Sequence, residues 1–161
     1  MQVGSEQWRL LLVQGALEMG LTLTPLQLER MGLHAQELLG WNRTTNLTAI
    51  IDPAEMAIKH FLDAIGPSPH IPSEGELLDI GTGAGFPGIP LKILRPGQPM
   101  TLIDGSRKKI TFVKHLIRQL GLEKITAAQT RAEEMAVQPS YRGRFQAIVC
   151  RAVADLSAIA R

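Results

Sequence analysis

The apolar and polar positions divide the chain into two parts with different periods. Over the first 65 residues the apolar side chains recur every three or four positions, as they do on one face of an amphipathic helix. From residue 76 onwards, short apolar runs alternate with segments of helical period. Because strands that alternate with helices build parallel sheets, the pattern predicts a helical region followed by an α/β unit.

Three helices are predicted before residue 66. Trp8 begins the apolar stripe of the first helix, and Gly20 lies where that helix would end. Thr24 precedes a proline at the predicted start of the second helix, and Asp52 precedes a proline at the predicted start of the third. A capping side chain before a first-turn proline is a common way for a helix to begin.

A segment dense in proline and glycine, 66–72, separates the two parts and cannot continue a helix. We place the boundary at its end. The prediction is a helical N-terminal region with its linker over 1–72 and an α/β core over 73–161.

The core contains four predicted strands, at 76–80, 100–104, 124–128 and 145–150, and two predicted helices between them, at 89–94 and 106–120. A last helical piece is predicted to begin at Asp155. The predicted fold class is α/β, with a mostly parallel sheet that has helices on both faces. In such a sheet, ligands bind beyond the carboxyl ends of the strands.

Four glycines follow the first strand closely, at Gly81, Gly83, Gly85 and Gly88. Glycine lets the backbone turn sharply and approach a ligand, because no Cβ stands in the way. The loop joins a strand to its helix, which is where a doubly wound sheet binds a nucleotide. We therefore predict a nucleotide-type cofactor at this loop.

Two alignments of the loop imply different cofactors. The segment 83–88 matches the dinucleotide pattern G-x-G-x-x-G, with Asp104 as the acid for the ribose, and this would indicate NAD. In that alignment the first glycine stands too far from the strand, and Pro87 removes an N–H donor that a pyrophosphate needs. The other alignment begins with Asp79 at the strand end. It suits S-adenosylmethionine, whose ammonium Asp79 would hold directly or through water, while Asp104 accepts from the ribose.

The segment 79–91 resembles the glucose-inhibited division protein B family. The resemblance runs from about residue 35 to the last residue and includes, in the family's order, Trp41-Asn42-x-x-x-Asn46-Leu47-Thr48, His60-Phe61-Leu62-Asp63, Arg107-Lys108-Lys109, Arg131-Ala132-Glu133-Glu134 and Cys150-Arg151-Ala152. Members are bacterial methyltransferases with a Rossmann-like fold that modify N7 of a guanine in 16S ribosomal RNA. The resemblance implies S-adenosylmethionine as cofactor and 16S ribosomal RNA, or the small ribosomal subunit, as partner.

The resemblance also implies roles for individual residues. The positions that match the family's cofactor site are Gly81, Gly83, Gly85, Phe86, Asp104, Gly105, Ala132, Glu133 and Arg151. Arg151 would border both the cofactor and the target base, whereas Glu133 also fits an ordinary acid at a helix start. Asn42, Asn46, His60 and Asp63 match positions that face the cleft, although His60 and Asp63 are three residues apart on one helix and could bond each other.

The charges are unevenly distributed. Residues 1–104 carry 6 Lys/Arg and 11 Asp/Glu, whereas residues 105–161 carry 11 Lys/Arg and 4 Asp/Glu. The densest basic group lies on the predicted helix 106–120 and consists of Arg107, Lys108, Lys109, Lys114 and Arg118. These side chains could contact an RNA backbone, or part of the group could be an ordinary solvated helix face.

The expected chemistry requires positioning more than proton transfer. Guanine N7 carries a lone pair and no proton, so methyl transfer depends mainly on alignment of the reacting atoms. The sequence shows no catalytic triad, dyad or metal cluster, and we predict no general base and no metal ligand. Arg151 could hydrogen-bond guanine O6 or a phosphate oxygen.

The composition bears on the cellular location of the protein. No run of about 18 apolar residues occurs, so no transmembrane helix is predicted. One cysteine, Cys150, excludes a disulfide framework and fits a reducing compartment, so we expect a cytoplasmic protein. We also expect a monomer.

Family members continue with further strands that complete the sheet, and these are absent from this chain. A shortened, non-catalytic paralogue that binds cofactor or RNA therefore stays open as an alternative. A weaker alternative, an NAD-linked oxidoreductase, is supported only by the G-x-G-x-x-G alignment of 83–88.

Overall fold

The computed structural model describes residues 1–151 and shows an α/β architecture with a helical N-terminal region. The helices are α1 (Glu6–Glu18), α2 (Pro25–Thr45), α3 (Pro53–Met56), α4 (Asp63–Ile65), α5 (Gly88–Leu94), α6 (Arg107–Gln119) and α7 (Ala132–Ala136). The strands are β1 (Glu76–Ile80), β2 (Met100–Asp104), β3 (Ile125–Gln129) and β4 (Phe145–Cys150). The helical piece predicted to begin at Asp155 lies outside the described residues.

Three further helical segments, of other types, complete the described chain. A π-helical segment, Ala57–Leu62, joins α3 to α4 without a break, and 3₁₀ turns occur at Ser68–His70 and Pro139–Tyr141. Within the π-helical segment the Asp63 N–H bonds the carbonyl of Ile58. This is the wider i to i+5 pattern, so the turn contains one residue more than an α-helical turn.

The helix starts agree with their sequence signals. The Thr24 side chain accepts from the Gln27 N–H, and the Gln27 side chain accepts from the Thr24 N–H in return. The Asp52 carboxylate accepts from the Glu55 N–H at the start of α3. Each contact satisfies an amide that has no partner within its own helix.

The sheet has the order β3-β2-β1-β4, and all of its strand pairs are parallel. This confirms the predicted α/β class with a parallel sheet behind a helical N-terminal region. β1 and β2 lie in the centre and are mostly buried, as expected for strands that are covered on both faces.

The two faces of the sheet are covered unequally, since side chains alternate between the faces along each strand. Leu77 belongs to a large apolar cluster that runs from Trp8 in α1 to Leu120 after α6 and includes both the N-terminal helices and the core. Leu78 belongs to a small cluster with Ile103 and Met135, which α7 covers. Ile148, on β4, is 52% exposed.

The segment 66–72 is fastened to the end of α5. The Arg95 guanidinium donates to the backbone carbonyls of Ser68, Ile71 and Pro72. The carbonyls of a segment that has little regular structure therefore find donors in one arginine side chain. The division of the chain at residue 72 remains a prediction.

Candidate functional site

The parallel register brings the ends of three strands together. Ile80, the last residue of β1, is paired with Ile103 on one side and with Cys150 on the other. The next residues along the chain are Gly81 after β1, Asp104 at the end of β2, and Arg151 after β4. The sheet therefore places the glycine loop between a carboxylate and a guanidinium.

The glycine loop has a backbone conformation that L-residues rarely adopt. Gly81, Gly83 and Gly85 have φ values of +69°, +58° and +90°. A Cβ on Gly85 would lie 2.7 Å from Cγ1 of Ile89, so that position also lacks space for a side chain. These glycines are required by the path of the loop, which exposes backbone toward the strand ends.

Asp104 binds both the glycine loop and the turn that follows β2. Its Oδ2 accepts from the Gly83 N–H at 3.0 Å, and its Oδ1 accepts from the Ser106 N–H at 2.8 Å. Each carboxylate oxygen has a second lone pair, so the side chain can still accept from a ligand hydroxyl. This position is compatible with the predicted contact to a ribose.

Asp79 lies beneath the loop and is 2% exposed. Its Oδ2 accepts from the Gly88 N–H at 2.9 Å, which ties the end of β1 to the start of α5. Burial raises the pKa of Asp79 to about 7, although the neighbouring Thr82 hydroxyl, the Gly88 hydrogen bond and the Arg151 charge act in the opposite direction. Within residues 1–151, its Oδ1 and the buried Thr82 hydroxyl have no hydrogen-bond partner.

Phe86 is sandwiched between two histidines from the N-terminal region. Its ring stacks on His34 at a centroid distance of 4.5 Å and on His60 at 4.6 Å, with interplanar angles of 14° and 10°. Phe86 is 3% exposed, so most of its surface packs against protein. The tip of the glycine loop is therefore clamped by α2 and the π-helical segment.

His34 is a fully buried ring with one polar contact. Its Nε2 lies 2.9 Å from the carbonyl oxygen of Ala84, whereas its Nδ1 has no partner within residues 1–151. Burial lowers the pKa of His34 to about 3. The ring is consequently neutral and donates from Nε2 to the loop.

Asn42, Thr48 and His60 connect the end of α2 to the π-helical segment. The Asn42 side chain donates to the Thr48 carbonyl and accepts from the Thr48 N–H, each at 2.9 Å. The Thr48 hydroxyl lies 2.9 Å from Nε2 of His60. Asn46 ends α2 with a φ of +50° and is exposed, so it shapes this turn without joining the chain of contacts.

Arg151 reaches from the end of β4 to the same helical segment. Its guanidinium contacts Nδ1 of His60 at 2.8 Å and the Asp63 carboxylate at 3.3 Å. It also lies over the ring of Phe86, 5.2 Å from the centroid. His60 and Asp63 therefore meet at Arg151, and no hydrogen bond joins one directly to the other within residues 1–151.

A cleft of about 180 Å³ opens where these parts meet. Its lining consists of Leu47, His60, Gly81, Thr82, Gly83, Ala84, Phe86, Lys109 and Arg151. Two of these side chains are cationic and, among the described residues, none is acidic. The cleft thus combines exposed loop backbone with positive charge.

Three residues that match the family's cofactor site, Gly105, Ala132 and Glu133, do not line this cleft. Gly105 is exposed, and a Cβ on it would approach the Arg131 side chain at 3.5 Å. Ala132 packs against the small apolar cluster and lines an apolar groove of about 160 Å³. Glu133 is exposed at the start of α7. The roles of these residues remain predictions.

The basic helix α6 divides its cations between two places. Lys109 lines the cleft, whereas Arg107 and Lys108 line a separate groove of about 240 Å³ beside Trp41 of α2. Lys114 and Arg118 are exposed further along α6.

Three features of the site were not singled out by sequence reasoning. They are the ring of His34, the Thr48 hydroxyl and the placement of Lys109 inside the cleft. Thr48 stands in a motif that the sequence did mark, in the segment with Asn42, so its proximity could have been suspected. His34 lies in an ordinary apolar helix pattern and gives no local signal.

Residues 1–151 contain neither a metal-binding cluster nor a membrane-spanning helix. No cluster of three His, Cys, Asp or Glu side chains is arranged to hold a metal ion. No helix in this range is long and apolar enough to cross a membrane.

The comparisons with known proteins all point to the same family. Residues 27–161 match the sequence profile of the GidB family, described as rRNA small subunit methyltransferase G. A protein of Thermoanaerobacter sp. (strain X514) named ribosomal RNA small subunit methyltransferase G is 43% identical over 149 residues, which is 91% of this chain and 62% of that protein.

Two other relatives with the same name show similar values. The protein of Desulforamulus reducens is 42% identical over 92% of this chain and 62% of its own length. The protein of Geobacter sp. (strain M21) is 44% identical over 91% of this chain and 66% of its own length. The chain thus spans about 62% of the length of the first two relatives.

Proposed function

The chain belongs to the GidB family of small-subunit ribosomal RNA methyltransferases, and we propose from this premise that it transfers a methyl group from S-adenosylmethionine to N7 of a guanine in 16S ribosomal RNA. The observation that carries the proposal is the cleft at the carboxyl ends of β1, β2 and β4. The glycine loop and Arg151 line this cleft, and Asp104 binds the loop through the Gly83 N–H.

The residues of the cleft suit this cofactor. The loop exposes backbone without side chains at Gly81 and Gly83, which leaves room for a ligand chain against the strand ends. Asp104 keeps free lone pairs for ribose hydroxyls. Beneath the loop, the unpartnered Oδ1 of Asp79 and the Thr82 hydroxyl can take up a hydrogen bond or a bridging water.

The reaction mainly requires the protein to align the methyl group of the cofactor with guanine N7. When bound, S-adenosylmethionine supplies a methyl group activated by a positively charged sulfur, and guanine N7 supplies the lone pair that attacks it. The loop and Asp104 would fix the cofactor, while Arg151 and Lys109 line the side from which a base would enter. No residue has to remove a proton, because N7 carries none.

The contact between Asp79 and Gly88 supports this cofactor over NAD. A pyrophosphate at the start of α5 would need the first amides of that helix. The Gly88 N–H is already bonded to the buried Asp79 carboxylate. A phosphate placed there would therefore lose a donor and approach an acid.

The RNA would lie across the end of α6 that is nearest the cleft. Arg107 and Lys108 flank the groove beside Trp41, and Lys109 points into the neighbouring cleft. Cations at a groove next to the site suit backbone contacts that position a nucleic acid. Lys114 and Arg118 would add electrostatic attraction further along the helix.

Calorimetric titration of the 161-residue chain with S-adenosylhomocysteine tests the proposal. Gly83 has a φ of +58°, so Gly83→Val should distort the loop and abolish binding. Gly97→Ala is the matched control, because Gly97 has an ordinary φ and no other atom lies within 4 Å of the place that an added Cβ would take. We expect binding by the wild type and the control only.

Methyl transfer from labelled S-adenosylmethionine to small ribosomal subunits then separates an enzyme from a binding module. Transfer to guanine N7 supports the full proposal. Cofactor binding without transfer would favour the non-catalytic alternative, and binding of NADH without binding of S-adenosylhomocysteine would overturn the cofactor assignment.

A further inference from the structure

The guanidinium of Arg151 is held on one edge by the helical segment 53–65. Its Nη1 donates to the Lys59 carbonyl at 2.7 Å and to the Asp63 carboxylate at 3.3 Å. Its Nη2 approaches Nδ1 of His60 at 2.8 Å. An arginine after β4 is thus bound by side-chain and main-chain acceptors about 90 residues earlier in the chain.

These contacts fix the tautomer of His60. A guanidinium has only donors, so Nδ1 of His60 must be the acceptor and cannot carry a proton. The ring proton therefore lies on Nε2, which donates to the Thr48 hydroxyl at 2.9 Å. Thr48 is itself held by the Asn42 side chain. His60 is a neutral link between this turn and Arg151.

The opposite edge of the guanidinium remains available. Within residues 1–151, Arg151 Nε makes no hydrogen bond, and the three bonds above leave one Nη2 hydrogen unused. Because the guanidinium is planar, the Nε and Nη2 hydrogens on this edge point in the same direction. Arg151 lines the cleft, so its free edge is a pair of parallel donors next to the glycine loop.

The charge of the cleft favours an anionic partner for this edge. Arg151 and Lys109 are the cations of its lining, and the described lining residues include no acid. A carboxylate matches two parallel guanidinium donors in geometry and in charge. The aminoacyl group of the proposed cofactor ends in such a carboxylate.

We propose that His60 is a positioning residue, whose unprotonated Nδ1 holds the Arg151 guanidinium so that its free edge binds the carboxylate of the cofactor's aminoacyl group. The ligand in this statement rests on the proposed function, whereas the hold of His60 on Arg151 does not. His60 acts through Arg151 and does not itself contact the reacting atoms.

The surroundings keep His60 neutral over a wide pH range. Burial lowers the pKa of His60 to about 4, Arg151 contributes in the same direction, and Asp63 opposes it. The charged or titratable groups that act on His60, among residues 1–151, are Arg151 after β4, Asp63 in α4 and His34 in α2, and Lys109 of α6 lines the same cleft. Protonation at Nδ1 would replace the acceptor by a cation beside the guanidinium.

Two substitutions separate the roles of the two ring nitrogens. His60→Asn keeps an oxygen acceptor near the position of Nδ1, whereas His60→Gln keeps a donor near the position of Nε2 and removes the acceptor for Arg151. Both remove the ring that stacks on Phe86, so a general loss of packing should affect them similarly. Thermal unfolding of the two variants measures that shared cost.

The ligands are S-adenosylhomocysteine and methylthioadenosine, which lacks the aminoacyl group. We expect His60→Gln to weaken S-adenosylhomocysteine binding about tenfold relative to His60→Asn, and to leave methylthioadenosine binding equal in the two variants. Arg151→Gln should reproduce the effect of His60→Gln. Equal affinities of the two His60 variants for S-adenosylhomocysteine, or an equal loss for both ligands, would overturn the proposal.

Nitrogen-15 NMR of the imidazole gives a second test that needs no ligand. We expect His60 to show a protonated Nε2 and an unprotonated Nδ1 at pH 6, and its pKa to rise in Arg151→Gln because a neighbouring cation is removed. A protonated Nδ1 in the wild type would overturn the proposal. If the expected tautomer is observed but the wild type binds neither ligand, the positioning contact is supported and the cofactor assignment fails.

Discussion

The cleft lies between a sheet wall, formed by the strand ends and the glycine loop, and a helical wall, formed by α2 and the π-helical segment. The two walls are stabilised by different kinds of contact. On the sheet wall, carboxylates bind backbone amides, as Asp104 binds the Gly83 N–H and Asp79 binds the Gly88 N–H. On the helical wall, side chains meet side chains, through the stacking of His60 on Phe86 and its hydrogen bond to Arg151.

The difference lies in how far along the chain the partners come from. Asp79 and Gly88 are nine residues apart, whereas His60 and Arg151 are 91 residues apart. Gly83 and Asp104 are 21 residues apart, so the contacts that shape the loop all lie within β1, the loop, α5 and β2. The orientation of Arg151 depends on how the helical N-terminal region packs against the sheet, so the two walls should respond differently to substitution and to pH.

The largest effect on stability is expected at Gly88, where the sheet wall leaves no space for a side chain. A Cβ on Gly88 would lie 2.6 Å from Asp79 Oδ2 and 2.8 Å from Leu102 Cγ. Gly88→Ala should lower the free energy of unfolding by about 3 kcal/mol, because it overpacks the site and disturbs the Asp79 hydrogen bond. Urea unfolding measures this, with Gly97→Ala as a control that should change stability by less than about 0.5 kcal/mol.

Equal stabilities for these two alanine variants would show that the sheet wall yields easily, and the contrast between the two walls would then disappear.

A slightly smaller effect is expected from the pH response of Asp79. Because burial raises the pKa of Asp79 to about 7, the folded state keeps the proton that the unfolded chain loses near pH 4, and the resulting stabilisation is lost as the pH rises through 7. Asp79→Asn does not titrate. Between pH 5 and pH 8 its free energy of unfolding should rise relative to the wild type by about 2.5 kcal/mol.

Chemical denaturation of both proteins at the two pH values measures the difference. A variant that keeps a constant offset from the wild type at pH 5 and pH 8 would mean that Asp79 ionises normally in the folded state.

The smallest of the three effects has the opposite sign and belongs to the helical wall. Burial lowers the pKa of His34 to about 3, so the folded state stays neutral while the unfolded chain takes up a proton as the pH falls through 6.5. Wild-type stability should therefore lose about 2 kcal/mol from this residue between pH 7 and pH 5. His34→Gln keeps a donor for the Ala84 carbonyl and removes the titration.

The difference in unfolding free energy between the wild type and His34→Gln should decrease by about 2 kcal/mol when the pH is lowered from 7 to 5. If the gap is the same at pH 7 and pH 5, His34 is protonated within the fold and the description of the helical wall is wrong.

The sheet wall could largely be predicted from the sequence, because its signals are local. The glycine spacing, Asp79 at the strand end and Asp104 at the end of the next strand are each visible within a few residues. The parallel class follows from strands that alternate with helices, and parallel pairing then brings the strand ends to one edge. The structure confirms this fold class and places the glycine loop at that edge.

For the helical wall, the sequence predicts which residues take part but not how they contact one another. The family resemblance marks Asn42, His60 and Asp63, but spacing within one helix indicates only that His60 and Asp63 could bond each other. Their common contact with Arg151 depends on packing between segments far apart in sequence. Which face of Phe86 is covered, and by which histidine, is likewise a result of tertiary packing that no local pattern encodes.

The π-helical turn makes the cleft sensitive to the number of residues in one helix as well as to their identity. Because the Asp63 N–H bonds the Ile58 carbonyl, the Lys59 carbonyl is not used by Asp63 and accepts from Arg151. Deleting one residue between His60 and α4 would restore ordinary α-helical winding and turn His60 by about 100° relative to α4. A change in length at this turn would therefore remove His60 from Arg151 even if every remaining residue were kept.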